Sequence, residues 1–131
     1  MAELKELFQS ADWKAEKHVP VIEVQGPAKK GESIKVAVTV GKQIPHPNKT
    51  EHHIRWIEIY FHPQGEKFPC QIGRVEFTSH GESVQGPDTS TVYSGYESTI
   101  TFKTDKSGII FAACFCNIHG LWQGSKEIAV S

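Results

Sequence analysis

From Ser33 to Val40 the chain sets Ile34, Val36, Val38 and Val40 on one side of a two-residue alternation, with Lys35, Ala37 and Thr39 on the other. Successive side chains of a strand point to opposite faces, so this run buries one face and wets the other. A helix would scatter the same residues around its axis. Further runs repeat the signal. Val19 to Val24 is apolar but broken by Pro20, which marks an edge strand because proline has no N–H to give to a ladder. His53 to Phe61 is rich in aromatic and β-branched residues, and Arg74 to Thr78, Ser98 to Lys103, Gly108 to Phe115 and Lys126 to Val130 follow. Turn signals separate them, among them Gly86-Pro87-Asp88 and TDKSG at Thr104 to Gly108.

Only residues 4 to 9 read as a short helix, because Leu4, Leu7 and Phe8 fall at helical spacing. The expected fold is therefore all-β: an immunoglobulin-like antiparallel β-sandwich of about seven strands with a short N-terminal helix. The Cys, Trp, Cys spacing of antibody domains is missing, so the expectation concerns architecture alone. One stretch, GKQIPHPNKTE from Gly41 to Glu51, is polar, carries Pro45 and Pro47, and reads as a long loop with a purpose.

A chain of 131 residues is expected to form one domain, residues 1–131. The net charge of −1 speaks against a general nucleic-acid binder. The N-terminus has no apolar core of a secretory leader, and no run approaches a membrane span, so the expectation is a cytoplasmic protein without a membrane partner. Three cysteines, Cys70, Cys114 and Cys116, suit a reducing compartment better than a disulfide framework. Cys114 and Cys116 point the same way from one strand and make an awkward bridge.

Chemistry concentrates near the C-terminus, in FAACFCNIHGLWQG from Phe111 to Gly124. Cys116 and His119 stand three positions apart where a strand ends, close enough to reach one metal ion. Gly120 lets the loop turn. Alone this pair is weak, and Cys116 by itself would read as a core cysteine. Seven histidines, however, are unevenly placed: His46 and the His52-His53 pair bracket the proline-rich loop, and His18 lies in EKHVP. Loops of a sandwich cluster at its ends, so His18, His46, His52 and the Cys116–His119 turn can meet at one end. Five donors with one sulfur exceed the tetrahedral set of structural zinc. Four nitrogens in a plane with an axial thiolate suit redox-active iron.

The stretches EKHVP (Glu16 to Pro20), IPHPN (Ile44 to Asn48), EHHIRW (Glu51 to Trp56) and CNIHG (Cys116 to Gly120), with GRVEFTSHGESV (Gly73 to Val84), closely resemble superoxide reductases of the neelaredoxin type. The resemblance covers nearly the whole chain. It implies one iron ion, Fe2+/Fe3+, per subunit, with His18, His46, His52 and His119 as equatorial ligands and Cys116 as the axial thiolate. Glu16 matches the glutamate that closes the sixth position in the oxidised state, and Lys17 the lysine beside the open site. The implied reaction reduces superoxide to hydrogen peroxide, with an electron from a donor such as rubredoxin, in a homotetramer. The extra four-cysteine iron domain of the larger desulfoferrodoxins is missing from this sequence. Cys114 departs from the family pattern.

Other readings compete with this one. A blue-copper electron carrier would use Cys116, His119 and an upstream histidine with Gln123 as the weak axial ligand, yet it leaves two histidines and EKHVP unexplained. A metal-free interaction domain explains none of the clustering. His53 should face away from His52. His62 and His80 read as surface or locally bonded histidines, Cys70 as a free structural thiol, and Trp13, Trp56 and Trp122 as packing.

Overall fold

The computed structural model describes residues 2–131. A one-turn 3-10 helix, Leu4–Leu7, precedes seven strands: β1 (Val21–Gln25), β2 (Ile34–Thr39), β3 (Ile54–Pro63), β4 (Cys70–Glu76), β5 (Glu97–Phe102), β6 (Gly108–Cys116) and β7 (Gly120–Ile128). They form two antiparallel sheets, ordered β1-β2-β5 and β4-β3-β6-β7. This is the expected sandwich, and β1 takes the edge that Pro20 foretold.

The alternation explains the core. Ile34, Val36 and Val38 of β2 face Ile57 and Ile59 of β3 and Ile110, Ala112 and Cys114 of β6, all in one buried cluster. Each such aliphatic side chain contributes about 1.5–3 kcal/mol when fully buried.

Three boundaries differ from the sequence expectation. The helix expected over residues 4 to 9 is a single turn closed by a reciprocal Glu3–Glu6 capping box, with Leu4 and Leu7 exposed, because one turn lays no apolar stripe on the core. Strand β4 begins at Cys70 rather than Arg74; Gly73 lies inside the strand, packed under Ile100. Strand β7 begins at Gly120 rather than Lys126. Gly124 there marks a close approach, since a Cβ would stand 2.5 Å from the Pro20 carbonyl oxygen.

Strand pairing gathers the loops. Ile54 opposes Cys116, Cys116 opposes Gly120, and Thr39 opposes both Val21 and Glu97. The segment before β1, the β2–β3 loop, the segment before β5 and the β6–β7 turn therefore share one end of the sandwich.

Candidate metal centre

At that end four imidazoles form a closed ring. Centroids are 4.7 Å apart for His18–His46, 4.8 Å for His46–His52, 5.0 Å for His52–His119 and 4.9 Å for His119–His18. Adjacent planes are inclined by 59° to 78°. Cys116 Sγ lies 3.6 Å from His46 Nε2 and 3.8 Å from His119 Nδ1. Ligand atoms of His18, His52, Cys116 and His119 all fall within 4.8 Å of one another.

This arrangement fits a metal ion. With a metal–nitrogen bond of about 2.1 Å, rings at right angles around one ion have neighbouring centroids about 4.6 Å apart, close to the spacing found. His18 Nε2 and His52 Nε2 are buried without a hydrogen-bond partner, an arrangement that costs roughly 1–3 kcal/mol per group unless a ligand satisfies it. Four nitrogens and one sulfur exceed a tetrahedral zinc set.

Surrounding groups aim each donor. His18 Nδ1 donates to Glu16 Oε1 at 2.6 Å, and the same oxygen accepts from the His18 backbone N–H at 2.5 Å. His46 Nδ1 donates to the Pro47 carbonyl at 2.7 Å. Both bonds place the ring proton on Nδ1 and leave Nε2 as the lone-pair donor, the usual tautomer control at metal sites. His119 presents Nδ1 to the sulfur instead. Burial pulls His46 down to about 4 and holds His18 and His52 below the ordinary imidazole value, so these rings are neutral at pH 7. For Glu16, burial acts upward, but hydrogen bonds from His18 outweigh it and keep the carboxylate ionised.

Cys116 Sγ accepts the His119 backbone N–H at 3.4 Å. The Cys114 thiol, which burial pushes upward, donates to the His18 carbonyl at 3.2 Å. Trp122 stacks on His18 and donates from Nε1 to the His119 carbonyl, which also accepts from Gln9 Nε2 at 2.8 Å. Lys17 is half-buried next to His18 in the chain, and its positive charge adds to burial in depressing His18, His46 and His52. His119 is exposed, so the cluster meets solvent on that side.

The structure thus brings together His18, His46, His52, Cys116 and His119, with Glu16 and Lys17 beside them. Glu16 sits on His18 Nδ1 rather than over the ring centre. His53 turns away, as expected, and stacks on His80 with centroids 3.6 Å apart. His80 is locally bonded but buried, not a surface residue, and Cys70 is an exposed thiol at the start of β4. Gln123 follows inward-facing Trp122 and lines an outer-face hollow with Phe8, Tyr60 and Phe111, away from Cys116, so it is no axial ligand. A 470 Å³ cavity at the opposite end, lined by His62, Ser107 and Ile128, holds no such cluster. The parts played by Gln9 and Trp122 are not readable from the sequence, because each acts through contacts that the folded chain alone supplies.

A β-sandwich that gathers four imidazoles and a thiolate at one end belongs to the class of folds with a His/Cys cluster able to hold a metal ion. The Desulfoferrodoxin family model matches residues 10–125, and the chain belongs to that family. It is 58% identical over 125 residues to the superoxide reductase of Pyrococcus furiosus, covering 95% of this chain and 98% of the relative. It is 49% identical to the neelaredoxin of Megalodesulfovibrio gigas, over 95% of this chain and 96% of that one. Among solved structures, a putative superoxide reductase from Thermotoga maritima superposes with a TM-score of 0.96 at 50% identity, covering 100% of this chain and 99% of that one. The reduced form of the Archaeoglobus fulgidus superoxide reductase gives 0.89 at 56%, over 94% and 98%.

Proposed function

We infer that this chain is a superoxide reductase, which converts superoxide, one electron and two protons to hydrogen peroxide without releasing dioxygen. The observation that carries this is the closed ring of His18, His46, His52 and His119 beside Cys116, with two buried Nε2 atoms unpaired, in a desulfoferrodoxin-family chain. One iron held by these five residues supplies, when bound, a one-electron couple and a position for a small anion.

The chain's own residues do the rest. Lys17 attracts the anion and holds an N–H donor near the site. The backbone N–H of His119 draws charge from Cys116 Sγ and tempers its donation. Glu16 fixes the tautomer of His18 and, freed from Nδ1, would be the carboxylate at hand to cap a bound iron against other anions. The donor is a small acidic protein such as rubredoxin. Exposed Lys49, with the exposed apolar Ile44 and Ile118 at the same end, supports that reading. A homotetramer in the cytoplasm completes it, supported by the family resemblance and by free Cys70, Cys114 and Cys116.

The test is elemental analysis followed by pulsed superoxide consumption. The expected result is about one iron per chain and peroxide without dioxygen. Dioxygen release, or copper or zinc in place of iron, would sink the assignment.

A further inference from the structure

We propose that Asn117 is a positioning residue for the metal ligand His52, aiming its ring by clamping the backbone on both sides of it. The inference rests on the function proposed above and adds a residue that stands next to Cys116 in the chain and is not itself a ligand.

The imidazoles are aimed in different ways. The rings of His18 and His46 are turned by Nδ1 bonds to Glu16 and to the Pro47 carbonyl. His52 has no such partner: among the described residues no hydrogen bond reaches its ring nitrogens, and its ring lies against those of His46 and His119. Its direction therefore comes from its backbone, because φ and ψ at a residue set where the side chain leaves the chain and which rotamers it can adopt.

The two peptide groups that meet at His52 carry four polar atoms, and all four are held. On one side, the Lys49 N–H donates to the His52 carbonyl at 2.9 Å and the His52 N–H donates to the Lys49 carbonyl at 3.1 Å, which closes a tight turn. On the other, the His53 N–H donates to Asn117 Oδ1 at 2.8 Å, and Asn117 Nδ2 donates to the Glu51 carbonyl at 2.9 Å. One amide thus grips the peptide before His52 and the peptide after it. Its orientation is fixed by those partners, since a backbone N–H only donates and a carbonyl only accepts.

Asn117 is itself anchored. Its backbone N–H donates to the His53 carbonyl at 3.1 Å, one step beyond the pairing of Ile54 with Cys116. The clamp therefore extends the strand that carries Cys116 and sets His52 relative to the thiolate. An asparagine in a turn commonly bonds within that turn or supplies a left-handed residue. This one has no positive φ, and its amide reaches partners 64 and 66 positions away.

Asn117→Ala removes both side-chain bonds and leaves the backbone bond to His53. Iron(II) affinity by chelator competition and the melting temperature of the metal-free protein are measured for the parent, Asn117→Ala, His52→Ala and the His52→Ala/Asn117→Ala pair. The histidine ring signals of the metal-free parent and of Asn117→Ala are followed by NMR. The expectation is that Asn117→Ala weakens iron binding by roughly 10- to 100-fold. It should add nothing to the loss in His52→Ala. The His52 ring signals should shift and average, while those of His18 and His46 keep the parent's positions. Parent-like affinity in Asn117→Ala overturns the inference. So does an added loss in the pair as large as in the parent background, or ring signals that move together for all three histidines, since either means that Asn117 acts on the fold at large. Where His52→Ala holds no measurable iron, the ring signals decide. A parent that takes up no iron overturns the function and this inference with it, whereas an iron-loaded parent matched by Asn117→Ala overturns this inference alone.

Discussion

The Trp122 indole lies almost flat against the His18 imidazole, with 9° between planes and 4.7 Å between centroids, while its Nε1 donates to the His119 carbonyl at 3.3 Å. One side chain therefore packs on the ring of one candidate ligand and holds the backbone of another. Trp122→Phe keeps a ring face and loses the N–H; Trp122→Leu loses both. Iron affinity should fall in that order, reaching roughly 10- to 100-fold for leucine. Equal affinities by chelator competition would show that the stack is packing only.

The thiols differ in access. Cys70 is exposed, whereas Cys114 and Cys116 are buried. A thiol reagent added to the folded protein should label one cysteine per chain quickly, at Cys70, and the other two only on denaturation. Rapid labelling of Cys114 would contradict its place against the His18 carbonyl. Cys114→Ala should cost about 1–2 kcal/mol through the lost hydrogen bond and small cavity, read by denaturant unfolding.

Acid should destabilise the metal-free protein. His46 is drawn down to about 4 from an ordinary 6.5 by burial, and His18 and His52 are lowered for the same reason. The unfolded chain then binds more protons than the folded one below about pH 6.5, so stability rises with pH across this window and is lost as pH falls toward 4. Chemical denaturation of the metal-free protein between pH 7 and 4 checks this. A flat profile would mean that these rings are not buried as neutral groups.

Glu16 and Lys17 are neighbours with separable effects. Lys17→Ala should slow superoxide consumption by roughly tenfold at low ionic strength and flatten its salt dependence, because a steering charge is gone. Glu16→Ala should leave peroxide formation intact, lower iron affinity by about tenfold through the freed His18 Nδ1, and let azide bind the oxidised protein more readily. An unchanged second-order rate constant for the lysine variant, or unchanged azide affinity for the glutamate variant, would remove that residue from its assigned part.

The residues of the centre are legible in the sequence, because a thiolate and four imidazoles in EKHVP, IPHPN, EHHIRW and CNIHG carry their own chemistry. So is the sandwich, since the alternation through Ile34, Val36 and Val38 specifies which face is buried. Strand ends are less legible. Gly73 and Gly124 resemble turn residues in a sequence, and only the nearness of Ile100 and Pro20 reveals that each is a place where something packs against a strand.

The chain by itself determined the strands and the donor atoms, because both depend on residue type and short spacing. Tertiary structure alone decided that the four imidazoles close into a ring beside Cys116 Sγ, that Glu16 grips His18, and that Trp122 and Gln9 both hold the His119 carbonyl. Most of those relations join residues far apart in sequence. They exist only once the antiparallel registers of Val21 with Thr39 and Ile54 with Cys116 bring the loop ends to one side of the sandwich.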